Sequence, residues 1–190
     1  MKFIQAIWRC FLTILGDIKV YRFPFFMVYD PTTFRVKGIH TRNAMDVLCP
    51  GDIVLRRYEC YMDGWFIPGK YTHSGIYVGN GKIIHAIAEN VCEIDVIDFL
   101  RCDGFCILRP NDGAACLEAI ERAKSLIGCP YDFYFSDDNE SYYCHELTAS
   151  CYPGKDIRKK ASYICGIRVS PRYLANSFID SNDFSIVLEV

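Results

Sequence analysis

The run Thr72-His73-Ser74-Gly75-Ile76-Tyr77-Val78-Gly79-Asn80-Gly81-Lys82-Ile83-Ile84-His85-Ala86 decides how the chain is read. β-Branched and aromatic residues flank a Gly-Asn-Gly tip, which predicts two antiparallel strands joined by a tight turn. Each arm carries one histidine. A two-residue Asn80-Gly81 loop sets His73 opposite Ala88 and sends His85 to the other face. A three-residue Gly79-Asn80-Gly81 loop sets Val78 opposite Lys82 and His85 opposite Gly75, diagonal to His73 on one face. Diagonal neighbours lie roughly 7–8 Å apart, within side-chain reach. A site shared by the two histidines therefore requires the three-residue loop.

Outward from the hairpin the elements stay short. Cys49-Pro50-Gly51-Asp52 reads as a turn into a strand over 53–57, followed by a loop through Pro68 and Gly69. Further strands fit 91–95 and 105–109, with one helical turn over 96–100 between them. Pro110-Asn111-Asp112-Gly113 starts a helix whose apolar face is Cys116, Leu117, Ile120, Ala123 and Ile127. Gly128 and Pro130 end it. Phe133 to Phe135 reads as a strand and Ser136 to Glu140 as a loop. A helix begins after Ser141, with Cys144, Leu147, Thr148 and Cys151 on one face. Ser170-Pro171 marks another helix start, and 184–190 a closing strand. The whole predicts an α+β fold, an antiparallel sheet with helices packed beside it.

The N-terminal part reads differently. Ile4, Ile7, Trp8, Phe11, Leu12 and Leu15 recur at helical spacing, with Lys2, Gln5, Arg9 and Thr13 on the opposite side. This amphipathic helix is expected to pack on the domain, a membrane surface through residues 1–16 being the alternative. Arg9 and the lack of a small-residue cleavage site argue against a secretion signal. Residues 20–29 are aromatic and β-branched, broken by Pro24, and close at Asp30-Pro31. A short strand is predicted over 34–37, and a short helix from Thr41 to about Leu48.

The 190 residues carry a formal net charge of only −2, so no basic excess points to nucleic acid. No linker or repeat divides them. A single domain over 1–190 is expected: an extension at 1–48, a catalytic core at 49–152, and a closing helix and strand at 153–190. Eleven cysteines are many for this length. Their odd number and the absence of a Cys-x-x-Cys pair speak against a disulfide framework and against zinc. Most are expected to be reduced, buried thiols, which favours a cytoplasmic compartment. No metal and no cofactor is expected.

Cys144 falls in the first turn of its helix, where free N–H groups and the helix dipole favour a thiolate. A buried core thiol is the competing reading. A thiolate nucleophile needs a base, and histidine is the usual one. His145 is adjacent to Cys144 and points about 100° away on a helix. His40 lies in the N-terminal part. His73 and His85 remain.

These residues resemble a known family. Thr72 to Gly79 with Ile84-His85-Ala86, then Gly128, Pro130-Tyr131-Asp132-Phe133 and Tyr142-Tyr143-Cys144-His145-Glu146-Leu147, look like the permuted papain-like hydrolases. These form the YiiX/YebB-like branch of the NlpC superfamily, which also contains the lecithin:retinol acyltransferase-like enzymes. Pro50-Gly51-Asp52-Ile53 fits as well, so the likeness spans about 49–150. It implies a circularly permuted papain-like (NlpC-type) fold, with Cys144 as nucleophile, His73 as base and His85 in the third place. The branch often has Glu in that place, and a small hydroxylic residue where His145 stands. Glu89 and Glu146 are the next candidates for the third role.

The implied activity is hydrolysis of a peptide-like or acyl-amide bond through an acyl-enzyme on Cys144. Transfer to a lipid or amine acceptor, or a non-catalytic small-ligand module, are the alternatives. The substrate is a small molecule, peptide or lipid amide. Tyr77, Tyr131 and Tyr143, with Tyr142, are candidates for an aromatic pocket wall, core packing being the other reading. A Cys144–His73 ion pair is expected to hold the thiol well below its free pKa of ~8.5.

Overall fold

The computed structural model describes residues 2–16, 18–21, 26–29, 34–61, 67–135, 140–164 and 167–190. In chain order the elements are α1 (Lys2–Gly16), β1 (Ile18–Tyr21), β2 (Phe26–Tyr29), α2 (Gly38–Val47), β3 (Ile53–Arg57), β4 (His73–Gly79), β5 (Lys82–Ala86) and β6 (Val91–Asp95). They continue with α3 (Val96–Phe99), β7 (Gly104–Pro110), α4 (Ala114–Ser125), α5 (Cys144–Ser150), β8 (Lys160–Ile164), β9 (Ile167–Arg172), α6 (Ala175–Ile179) and β10 (Phe184–Glu189). β10-β7-β3-β4-β5-β6 form one antiparallel sheet, and β1-β2 and β8-β9 form two separate hairpins. Among the described residues no helix is long and apolar enough to cross a membrane.

Strand alternation gives the sheet two buried faces. Ile53, Leu55, Ile76, Ile84 and Leu108 pack with Leu147 of α5, Ala123 of α4 and Phe178 of α6. Val54, Ile83, Phe105 and Ile107 pack with Ala44 of α2 and with Val96 and Phe99 of α3. The turn before β3 is locked by charge: Arg109 Nε and Nη2 donate to the two oxygens of buried Asp52 at 2.9 and 2.7 Å. Gly51 has φ +92°, and a Cβ there would fall 2.4 Å from that of Cys116, so the position admits only glycine.

The histidine hairpin reaches the expected register by a different route. Gly75 faces His85 and Tyr77 faces Ile83, but Gly79 faces Lys82 across a two-residue Asn80-Gly81 turn. Val78 is the surplus residue of a β-bulge. Both turn residues have positive φ, +52° and +72°, as a type I′ hairpin turn needs. The bulge restores the parity that a plain two-residue loop would break.

Several local readings are corrected. Residues 34–37 form no strand, although Val36 N donates to Cys102 O. α2 starts at Gly38, where the His40 ring accepts from the Lys37 N–H at 3.1 Å, so Thr41 is inside the helix. Leu117 and Ile127 are exposed, and Ala119 is buried in their stead with Ile120 and Ala123. Phe133 to Phe135 make no strand; the Tyr134 N–H donates to the Asp132 carboxylate in a turn. Ser170-Pro171 lies in β9 and the helix starts four residues later, at Ala175. Pro171 is tolerated because a two-stranded hairpin has free edges. Pro24, the Asp30-Pro31 closure, Ser136 to Asn139 of the proposed loop, and Cys165 lie outside the described residues.

The apolar stripe of α1 is covered less than expected, with Leu12 and Leu15 half-buried. Arg9 is exposed and donates to Ala88 O at 2.8 Å with its guanidinium 5.6 Å from the Phe133 ring, and Ile7, Trp8 and Phe11 are exposed as well. The thiols also divide more evenly than expected: Cys102, Cys106, Cys144 and Cys151 are buried, but Cys10, Cys49 and Cys60 are exposed.

Candidate active site

On β4, His73, Gly75 and Tyr77 share one face, and Ser74 and Ile76 the other. His73 Nε2 and His85 Nδ1 lie 2.8 Å apart, with the rings edge-on at 83°. Gly75 makes this possible: a Cβ there would lie 2.6 Å from Ile83 Cγ2 and 3.1 Å from Phe99 Cε2. Phe99 backs both imidazoles, with ring centroids at 5.7 and 5.4 Å.

α5 arrives from the other face and begins at Cys144 itself, with Tyr143 at the cap position. Ser141 is therefore not the cap, and Cys144 is the first helical residue. Its Sγ lies 3.9 Å from Thr72 O, and the Ser74, His145 and Cys144 backbone N–H groups favour a charged sulfur there. The thiol thus sits over the peptides on both sides of His73. Ser74 ties the helix down: its hydroxyl donates to Cys144 O at 3.0 Å and lies 2.9 Å from both Thr148 Oγ1 and His145 Nδ1.

The electrostatics overturn the expected ion pair. Burial pushes the Cys144 thiol up to about 11, against the pull of the backbone donors and of Arg56. Burial, then Arg56, holds His85 down at about 3 and His73 well below its usual value. The thiol and the His73 imidazole are thus both held toward their neutral forms. A first-turn helix position does not compensate for removing a thiolate from water. Nor is Cys144 set apart from the other thiols, since burial raises Cys102 to about 11 and Cys106 and Cys151 to about 12.

Arg56 and Ser74 went unread in the sequence. Arg56 sits directly opposite His73 across β3 and β4. Its Nη1 donates to Phe99 O at 3.1 Å, and its guanidinium lies 4.4 Å from the Phe99 ring centroid. The parity of Ile53-Val54-Leu55-Arg56 was the available signal, since Arg56 shares Val54's face.

His145 does not shape a pocket rim. It is buried, 6.0 Å from the Phe178 ring centroid, and burial lowers it to about 3. Tyr143 is buried and its hydroxyl accepts from the Tyr173 N–H, while the Tyr77 hydroxyl accepts from the Gly81 N–H. Tyr131, with Glu89 and Ser141, lines a groove of about 490 Å³ beneath α1. Glu146 is buried on α5. A second groove, of about 570 Å³, opens beside Arg56 and His85.

The family model of the permuted papain-like amidase enzymes, the YaeF/YiiX or C92 family, matches residues 47–187. The crystal structure of metalloprotein yiiX from Escherichia coli O157:H7 superposes with a TM-score of 0.61 at 16% identity, covering 74% of this chain and 97% of that one. At that identity the likeness is one of fold. Among the described residues no three His, Cys, Asp or Glu side chains are grouped as a metal would need. No curated protein matches the chain in sequence. With the family model spanning well over half of its length, the chain belongs to the permuted papain-like amidases and is a cysteine hydrolase of that type.

Proposed function

We propose that the chain cleaves a peptide-like or acyl-amide bond through an acyl-enzyme on Cys144, with His73 as base and His85 as its orienting partner. The carrying observation is the 2.8 Å His73–His85 bond next to a thiol seated over the His73 backbone. With Nε2 taken by His85, Nδ1 is the His73 nitrogen left for the thiol. Because both groups rest neutral, the proton moves from sulfur to Nδ1 as sulfur attacks the carbonyl carbon. The oxyanion accepts from the first-turn N–H groups of α5. His73 then gives its proton to the departing amine, and a water deprotonated by His73 releases the acid. β10 lying on β7 supports reading 153–190 as part of the same domain.

The test is intact-mass spectrometry during turnover of an acyl p-nitroanilide panel. Wild type accumulates an acyl adduct on Cys144, while Cys144→Ala forms none and releases no nitroaniline above background. Turnover retained in Cys144→Ala overturns the assignment.

Transfer to a lipid acceptor is a second reading, favoured by the exposure of Ile7, Trp8 and Phe11 on α1. On that reading, removing residues 1–16 abolishes binding to anionic phospholipid vesicles and spares p-nitroanilide hydrolysis.

A further inference from the structure

We propose that the groove beyond His85 binds a carboxylate carried on an apolar body, held by the Arg56 guanidinium and by the Nε2–H of His85. The inference rests on His73 acting as base, because that role fixes the tautomers. To accept the thiol proton at Nδ1, neutral His73 must carry its hydrogen on Nε2. It then donates to His85 Nδ1, and the His85 hydrogen is left on Nε2. His85 is only 2% exposed and lines the groove, and its Nε2 has no hydrogen-bond partner among the described residues. A buried donor without an acceptor is costly, and a ligand acceptor removes that cost.

The charge needed for an anion stands beside it. Arg56 lines the same groove and has no carboxylate partner among the described residues, and its Nε is also unpaired there. Arg101 adds a second guanidinium at the exposed rim, 3.7 Å from Asp98. Phe34 and Tyr58, with ring centroids 6.0 Å apart, offer an apolar wall. Glu93 and Asp98 also line the groove and oppose a multiply charged ligand such as phosphate. A single carboxylate matches a planar guanidinium and one N–H donor. Its negative charge against His85 also favours the imidazolium that His73 becomes during attack.

The test uses the full-length Cys144→Ala chain with ¹⁵N-labelled histidine, titrated with hexanoate, hexanamide and inorganic phosphate. Hexanoate shifts the His85 ring nitrogens saturably; hexanamide does not. Arg56→Gln weakens hexanoate by about tenfold or more, and Arg56→Lys retains part of the affinity. Equal shifts with hexanamide, undiminished binding in Arg56→Gln, or preference for phosphate overturn the proposal. Alkylation of wild-type Cys144 by iodoacetamide separates two sources of the carboxylate. Protection by hexanoate assigns it to a substrate that reaches the thiol. Unchanged or faster alkylation assigns it to a separate effector. Binding is read on a chain without the nucleophile, so absence of hydrolysis in wild type would sink the amidase reading and leave this result standing.

Discussion

His73 and Ser74 are neighbours in sequence and face opposite sides of one strand, and the two sides treat polar groups differently. Ser74 is wholly buried and joins Cys144 O, Thr148 and His145 Nδ1 in one set, in which the far His145 nitrogen, Nε2, has no partner among the described residues. His73 is partly exposed and bonded to His85, whose far nitrogen stays unpaired among the described residues. The Ser74 side fixes a helix end on the sheet. On the proposed mechanism, the His73 side keeps one nitrogen for the thiol and another for a groove. On that proposal stability and chemistry are divided between the two faces of β4, with Cys144 seated over the peptides between them.

The largest effect that would break this division comes from adjacent substitutions. His73→Ala is expected to lower kcat/KM by about 10³-fold or more, since it removes the base, with little change in urea midpoint. Ser74→Ala keeps nucleophile and base. It leaves Thr148 on Cys144 O but strips a buried partner from His145, costing about 1–3 kcal/mol of stability. Matched kinetics and urea melts check both variants. A Ser74→Ala chain that is dead yet fully stable would dissolve the distinction.

The two faces agree in one respect, since both bury histidine in the neutral form. His85 and His145 titrate at about 3 when folded, and His73 well below 6.5. Between these values and 6.5 the unfolded chain binds protons that the folded chain does not, so stability is full above 6.5 and falls as pH drops. Each such histidine adds a slope of up to about 1.4 kcal/mol per pH unit in that window. His145→Gln should flatten the pH 7-to-4 series of urea midpoints, and an unchanged slope would contradict its burial as a neutral ring. On the alkaline side the thiol shows the same desolvation with opposite sign. Alkylation of Cys144 should rise with pH toward its value of about 11, with exposed Cys10, Cys49 and Cys60 modified ahead of it.

What the sequence disclosed follows from locality. β6, the α3 turn and β3 appear where alternation and turn residues placed them, because short-range pattern determines them. Strand parity showed that the two histidines could share a face, but it asked for a three-residue loop, and a bulge at Val78 beside a two-residue turn gives that register instead. The charge state was not legible, because desolvation depends on how deeply α5 packs against β4, which no window of residues carries. Arg56 was missed for a related reason: its importance comes from standing opposite His73 across two strands that are fifteen or more residues apart in the chain. α1 departs from expectation because an apolar stripe states which residues dislike water and not how much of it the domain covers: Ile7, Trp8 and Phe11 stay exposed while Leu12 and Leu15 are half-buried.

The smallest expected effect concerns what pins the histidine register, the turn or the core. Gly79 and Gly81 have φ of +92° and +72°, so Gly79→Ala and Gly81→Ala should each cost about 1 kcal/mol in left-handed strain. If the turn alone chose the register, that strain would let β5 slip by one residue and carry His85 off the His73 face, and activity would fall with it. A slip would also drive Ile83 and Ile84, each wholly buried but on opposite faces, into each other's environment. Losing two such side chains from their packing costs several times the turn strain, at about 1.5–3 kcal/mol each. Core packing should therefore hold the pairing. Both alanine variants should melt slightly earlier and keep the wild-type kcat/KM when assayed well below their midpoints. A loss of activity larger than the fraction unfolded would show that the bulged turn, and not Ile83 and Ile84, keeps the two imidazoles together.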